Sequence, residues 1–349
     1  MAEPNSPLAS VVILSHNSKR FLGPCLKSVL ATNYANYEII LVDNSSTDGS
    51  IDFVKSNFHQ SPRLRLVLTQ QNVGPSAGRN IGARIAKGKY LAFLDSDTEV
   101  DAAWLASAIG ILEQHPTIGA VQCKLRLMQD PSKLDYIGDF ISQFGFLVQK
   151  LPLGAPDNQA PRNPELVFGV KSAGMITRKA LFDKIGMFDE DFFIYLEETD
   201  LCWRIWLAGC QVAFVPESVV YHCFAEPSKL VSPQTKFSAK YHGTKNYITT
   251  IVKDSGATNL LKITPIHVLL WLGIVMWHFA GRRTNEGIWV LNGMIYNLKN
   301  FRSIWHKRMI VQHRVRLVAD NTFFPRVMLK VSPTYLYWKA THEGSGWKL

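Results

Sequence analysis

Asp95, Ser96 and Asp97 leave the end of an apolar run, Tyr90-Leu91-Ala92-Phe93-Leu94. Two carboxylates one residue apart can divide their labour: one contacts a nucleotide while the other holds a hard divalent cation through oxygen. That pairing points to chemistry on a diphosphate, although Asp-x-Asp also occurs in ordinary solvated loops. A second acidic group, Glu197, Glu198 and Asp200, opens a helical pattern much later in the chain. Helix N-termini stabilise negative charge, so these carboxyls are expected to be ionised at neutral pH. An ionised carboxylate suits a general base that takes a proton from an attacking hydroxyl. Asp200 also stands four residues before Arg204, where the alternative is an i,i+4 ion pair.

The elements that must position these groups alternate in kind. Apolar runs at Ser10–Leu14, Glu38–Val42, Leu64–Leu68, Tyr90–Leu94, Gly119–Cys123 and Gln211–Val215 read as strands, and helical patterns fall between most of them. Continuous apolar strands alternating with helices predict an α/β fold, a mostly parallel, Rossmann-like sheet with helices on both faces. Ligands in such folds bind beyond the carboxyl ends of the strands. Ser15, Asn17, Asp43 and Asn44 are expected there as well, and Asp43 could accept the imide hydrogen of uracil or thymine or simply close an Asx turn. Arg79, near the start of a predicted helix, offers a forked donor for a phosphate or base, or a surface ion pair. Gly74, Gly78 and Gly82 have the four-residue spacing of close helix–sheet packing and form neither GxGxxG nor a Walker motif, which argues against a dehydrogenase or a P-loop NTPase. Residues 130–172 contain five prolines and read as a long loop over the sheet.

The chain has 349 residues and a net charge of +10. Residues 236–349 carry 17 Lys/Arg against four Asp/Glu, so a slightly acidic part, 1–235, precedes a strongly basic tail, and the two are expected to be separate regions. The stretch 263–281 has no charged residue and is near the lower length limit for crossing a bilayer. Further on, Ile295, Leu298, Phe301, Trp305, Met309 and Val315 recur at roughly helical spacing with Lys299, Arg302, Lys307, Arg308, Arg314 and Arg316 interspersed, the pattern of a helix lying on an anionic membrane surface. No nucleic-acid-binding module is recognisable. The polar start, Met1 to Pro7, predicts no signal peptide, and five cysteines without a CxxC pair read as reduced thiols. Together these predict a cytoplasmic protein held peripherally at the inner face of the cell membrane, with 263–281 either lying on it, re-entering or spanning.

Five segments, in order, resemble family 2 glycosyltransferases: Val11 to Asn17, Ile39 to Ser50, Asn72 to Gly82, Phe188 to Arg204, and Val219 to His222, together with Asp95-Ser96-Asp97. The nearest flavour is the rhamnosyltransferase-like and galactofuranosyltransferase-like branch. The resemblance implies a GT-A fold and an inverting transfer of sugar from a UDP- or dTDP-sugar to a hydroxyl of a glycan, expected to be lipid-linked. It implies nucleotide contacts from Ser15, Asn17, Asp43, Asn44, Arg79 and Asp95, with a divalent Mn²⁺ or Mg²⁺ held by Asp97 and His222. On the acceptor side it places Glu197, Gly174 and Trp203. Relatives of this kind carry Glu-Asp at the first two positions of the acidic motif, with Asp as base. Here the second position is Glu198, one methylene longer, and Asp200 is the reserve. Two other readings stand beside this one, a nucleotidyltransferase on a related sheet and a non-catalytic binding protein that uses the basic tail.

Overall fold

The structure, a computed structural model, describes residues 6–223 and 233–335. The start of the polar leader and the last residues of the basic tail, with Lys339 and Lys348, lie outside them. The strands are β1 (Ala9–Ser15), β2 (Tyr37–Asp43), β3 (Leu64–Leu68), β4 (Tyr90–Asp95), β5 (Thr98–Val100), β6 (Ile118–Leu127), β7 (Asp130–Tyr136), β8 (Asp139–Ser142), β9 (Leu147–Gln149), β10 (Glu165–Leu166), β11 (Met175–Arg178), β12 (Gln211–His222) and β13 (Met328–Leu329). The helices are α1 (Lys19–Leu30), α2 (Ser50–Phe58), α3 (Gly74–Ile85), α4 (Trp104–Gln114), α5 (Lys179–Lys184), α6 (Glu197–Leu207), α7 (Pro233–Asp254), α8 (Ala257–Ala280), α9 (Thr284–Lys299), α10 (Phe301–Ile310) and α11 (Phe324–Val327).

The main sheet runs β10-β12-β6-β11-β4-β1-β2-β3. Pairs β1–β2, β1–β4, β2–β3 and β6–β12 are parallel, as the continuous apolar runs predict. Alternate residues face opposite layers, so Val11 and Ile13 join the core with α1 and α4, while Val12 joins the other core with α5 and α6. Each fully buried aliphatic or Phe side chain contributes about 1.5–3 kcal/mol. On α3, a Cβ at Gly82 would lie 2.5 Å from Val12 Cγ1 and one at Gly78 2.6 Å from Leu14 Cδ1, so this helix packs closely on the sheet through its glycines.

Four strands, β5, β7, β10 and β11, depart from the parallel plan. β11 is wedged antiparallel between β4 and β6, with Met175 opposite Phe93. Its first residues, not its last, therefore reach the carboxyl edge where Asp95 emerges. A second antiparallel contact, β5 with β12, sets His222 opposite Thr98, one residue from Asp97.

Residues 130–172 are not a bare loop. They form β7, the β8–β9 hairpin and β10, and β7 pairs with β6. The prolines stand mostly between these short strands. The carboxyl-terminal helices are not a detached tail either. Ile251, Ile263, Val311, Phe324 and Val327 share one core cluster with the sheet's α5–α6 side, and β13 pairs with β8. A further cluster joins Phe146 of the hairpin turn to Tyr247, Trp271 and Val290 of α7–α9. The single basic helix expected near Ile295–Val315 is broken at Asn300 and ends in a π-turn at Val311–Val315.

Candidate active site

The loops after β1 and β2 are tied together by the residues expected to meet the nucleoside. Asn17, in the left-handed region at φ 50°, accepts from the Thr47 N–H at 2.8 Å and donates its own N–H to Ser46 Oγ. Asp43 accepts the Ser46 N–H, three residues on, at 2.8 Å, so it closes the loop after β2 with a bond one residue longer than an Asx turn, and it is almost wholly buried. Asn44 bridges to the third segment, accepting the Val73 N–H and donating to Asn72 Oδ1 at 3.0 Å each. Among the described residues, the Ser15 hydroxyl is buried without a partner at the end of β1. These four side chains share one edge of the sheet.

Arg79 is the hub of the acidic groups. Its guanidinium donates to Asp95 at 2.7 Å and to Glu197 at 2.9 Å, and stands 4.0 Å from Glu198. Burial alone would favour its neutral form, but the acidic groups around it, Asp95 first and then Glu198, hold it charged. The fork is thus occupied by carboxylates rather than aimed at a phosphate, a different task from the nucleotide contact expected of it. Through Arg79 the Asp95 edge and the head of α6 belong to one site.

Glu198 is fixed by its own clamp. Ser172 donates to Glu198 Oε1 from its hydroxyl at 2.5 Å and from its N–H at 3.1 Å. Ser172 can do so because β11 runs backwards and delivers its leading turn to this edge. Glu197 is fully buried, and burial followed by the Glu198 charge raises its carboxyl to about 8 in spite of Arg79. The expectation of full ionisation across this cluster therefore fails at Glu197, because desolvation outweighs the helix terminus.

Asp200 is not available as a base. It is completely buried and pairs with Arg204 at 2.5 Å and with Lys253 of α7 at 2.5 Å. Burial opposes its charge, but the two cations prevail and hold the carboxyl below its usual range. Neighbouring Asp254 is pushed well up by its burial and by the Asp200 charge. Trp203, expected on the acceptor side, is likewise interior, edge-on to Phe168 and against Phe324. Gly174 owes its small size to the sheet: a Cβ there would meet Leu125 Cδ2 at 2.7 Å.

Asp95, Asp97 and His222 each offer a ligand atom, all within 4.8 Å of one another. His222 Nε2 lies 3.6 Å from Asp97 Oδ1, and its Nδ1 is 2.8 Å from Asp135 Oδ2. Burial opposes the imidazolium, but the bonds to Asp135 and Asp97 raise His222 to about 10. Two carboxylates and an imidazole anchored through its far nitrogen fit an Mn²⁺- or Mg²⁺-type ion. Sequence reasoning missed Asp135. It lies in β7, within the segment read as loop, and only the β6–β7 pairing brings it under His222.

The description "Glycosyl transferase family 2" matches residues 10–182. This chain contains a glycosyl transferase family 2 domain. Relatives of the domain include an uncharacterized glycosyltransferase of Haemophilus influenzae, 32% identical over 38% of this chain and 57% of the relative. Another is polypeptide N-acetylgalactosaminyltransferase 11 of Xenopus tropicalis, 30% identical over 66% of this chain and 40% of the relative. The chain spans less than two thirds of the length of these curated relatives. Among solved structures, the mannosyltransferase PcManGT from Pyrobaculum calidifontis, in complex with GDP-Man and Mn²⁺, is similar with a TM-score of 0.56. It is 17% identical, over 89% of this chain and 87% of that one. GalNAc-T7 with UDP, GalNAc and Mn²⁺ gives 0.55 at 19% identity, over 76% and 55%. At such identities the likeness is one of fold: the chain has an α/β GT-A architecture followed by a helical carboxyl-terminal region outside the matched residues.

Proposed function

We propose that this chain is an inverting, metal-dependent glycosyltransferase that moves a sugar from a UDP- or dTDP-sugar to a hydroxyl of a glycan acceptor. The observation that carries the reading is the convergence on Arg79 of carboxylates from β4 and α6, with Asp97 and His222 alongside. The nucleoside sits against the loops of Asp43 and Asn44. Asp97 and His222, with Asp95 beside them, would hold a divalent cation, which neutralises charge growing on the leaving diphosphate. Glu198, oriented by Ser172, takes the acceptor proton as the hydroxyl attacks from the opposite face, and a single displacement inverts the anomeric centre. Arg79 holds Glu197, Glu198 and Asp95 in one constellation without competing for the sugar.

The acceptor is proposed to be lipid-linked, with the enzyme lying on the cytoplasmic leaflet. Leu261, Leu269, Leu272 and Met276 form an exposed stripe along α8, and Phe301, Trp305 and Met309 another on α10. An apolar surface of this extent, edged by exposed Lys262, Lys299 and Arg302, suits an anionic bilayer. The opposite side of α8 rests on protein: His267 bonds the Phe144 carbonyl at 2.9 Å and Trp271 is buried. That favours a helix lying in the membrane interface over one that crosses. Lys307, Arg308 and Arg316 do not add to the basic edge, because they bond Asp189 and Asp191, the Val252 and Ser255 carbonyls, and Asp320.

The test is release of nucleoside diphosphate from a panel of UDP- and dTDP-sugars with and without Mn²⁺, repeated on Asp97→Ala. Metal-dependent release lost in the variant is expected. Pyrophosphate as product would point to a nucleotidyltransferase and overturn the proposal. Separately, the protein is expected to sediment with anionic vesicles and Leu269→Glu/Leu272→Glu to remain in solution; equal binding of both would refute the bilayer contact.

A further inference from the structure

The head of α6 is approached by a backbone that few side-chain-bearing residues adopt. Phe193 has φ 62° and ψ −70°, Tyr195 has φ 69°, and Leu196 has φ 66° and ψ 3°. The Ile194 N–H donates to the Phe192 carbonyl at 2.8 Å, so Phe193 is the centre of a positive-φ γ-turn, a rare and strained form. Such conformations persist only where their surroundings over-determine them. Here the surroundings centre on one side chain of α7. The Asn246 amide nitrogen, fully buried, stands 3.1 Å from the Phe192 carbonyl, 2.9 Å from that of Ile194 and 2.7 Å from that of Tyr195, and its two hydrogens are shared among the three. Lys245 adds a bond to the Asp191 carbonyl at 2.6 Å. Three carbonyls converging on one point need a donor with no competing acceptor, which the amide nitrogen supplies.

We propose that Asn246 is a positioning residue for the acid cluster: it holds residues 192–196 in the shape that sets Glu197 and Glu198 against Arg79 and Ser172. The carboxyl-terminal region is then part of the reactive geometry. The inference rests on the proposed role of Glu198 for its kinetic consequence, but not for the clamp itself. The turn also reaches the donor side, since the Phe193 carbonyl accepts from the Ser76 N–H and hydroxyl at 3.3 Å and the Phe193 ring covers Gly74. α7 is buttressed at the same level by α9, whose Asn297 donates to the Lys245 carbonyl at 3.1 Å and accepts from Thr249 at 2.8 Å.

The experiment compares native protein with Asn246→Ala and with Asn246→Ala/Leu196→Gly. Glycine adopts the left-handed backbone at position 196 without steric cost, so it should lessen the dependence on the clamp. Three readings are taken: hydrogen exchange of peptides covering 192–200, the Kd for UDP with Mn²⁺, and the rate of UDP release from UDP-hexoses. Asn246→Ala is expected to speed exchange in those peptides. It should slow UDP release about 10–100-fold, the scale of an ångström-sized misplacement of a reacting group, and leave the Kd for UDP within about threefold. The second substitution is expected to recover part of the rate. Unchanged exchange and rate would overturn the proposal. So would a global loss of protection with weakened UDP binding and no recovery, because Asn246 would then be merely structural. If Asn246→Ala does not fold, the isosteric Asn246→Asp carries the same test. If native protein neither binds UDP nor turns over donor, the proposed function fails, and exchange at 192–200 alone decides the clamp.

Discussion

Replacing Asp200 with asparagine separates a structural carboxylate from a catalytic one. Asp200 is fully buried between Arg204, at 2.5 Å and 3.0 Å, and Lys253, at 2.5 Å. The amide keeps the volume and one acceptor but leaves two buried cations with one formal charge fewer. Breaking a buried pair by removing one partner costs about 3–5 kcal/mol. Asp254 offers a second carboxyl to the same two cations in the variant, so the lower end, about 3 kcal/mol, is expected. Against a total stability of about 5–15 kcal/mol that is a large loss without certain unfolding. Urea denaturation of Asp200→Asn should therefore show a markedly lower midpoint with an unchanged slope. The cost of the substitution should shrink in a Lys253→Met background, because the two sites are coupled. UDP release per folded molecule should stay within a few-fold of native. A variant of native stability that has lost turnover would refute this reasoning and return Asp200 to the role of base.

Three further outcomes follow from the same geometry. Glu198→Gln should slow UDP release by about 10²–10⁴-fold, the usual worth of a general base, with the Kd for UDP nearly unchanged; a mild effect would remove Glu198 from that role. Asp135→Ala should weaken Mn²⁺ binding about 10–100-fold in calorimetry, since His222 loses the partner on its Nδ1; an unaltered Kd would show that the imidazole is not oriented this way. Glu197, raised to about 8 from an ordinary 4.5, keeps a proton in the folded state that the unfolded chain has released. Its contribution to stability is full below pH 4.5 and is lost as pH rises through about 8, so the unfolding free energy should decline across that window. Glu197→Gln should flatten that decline in urea titrations, and a slope that survives the substitution would place the titrating group elsewhere.

The parallel half of the sheet was legible because strands covered on both faces leave continuous apolar runs, and those runs end where the carboxylates stand. Asp95, Asp97 and His222 could be named because their segments keep the order and spacing of a known family. Legibility failed where antiparallel pairing intervened. β11 is only four residues long, and Pro131 with the polar residues beside it hides β7, so neither Ser172 as the partner of Glu198 nor Asp135 as the partner of His222 could be paired from local pattern. Burial is equally invisible in a linear reading. Trp203 and Asp200 stand beside the reactive carboxylates in sequence, but a helix turns successive side chains in different directions, and these two face the interior. The ionisation of Glu197 was misjudged for the same reason. Asn246 gave no signal at all, since its partners are backbone carbonyls more than fifty residues away.

The return of the chain at β13 to pair with β8, and the core shared by α7, α8 and α11 with the sheet, bear on how this protein can be handled. A shortened version ending near residue 235 would shed its greasy exterior together with the grip on the turn before α6, and loss of turnover in it would say nothing about lipid. A water-loving variant is better made by repainting the outward positions of α8 and α10 with charge while leaving every inward contact as it stands.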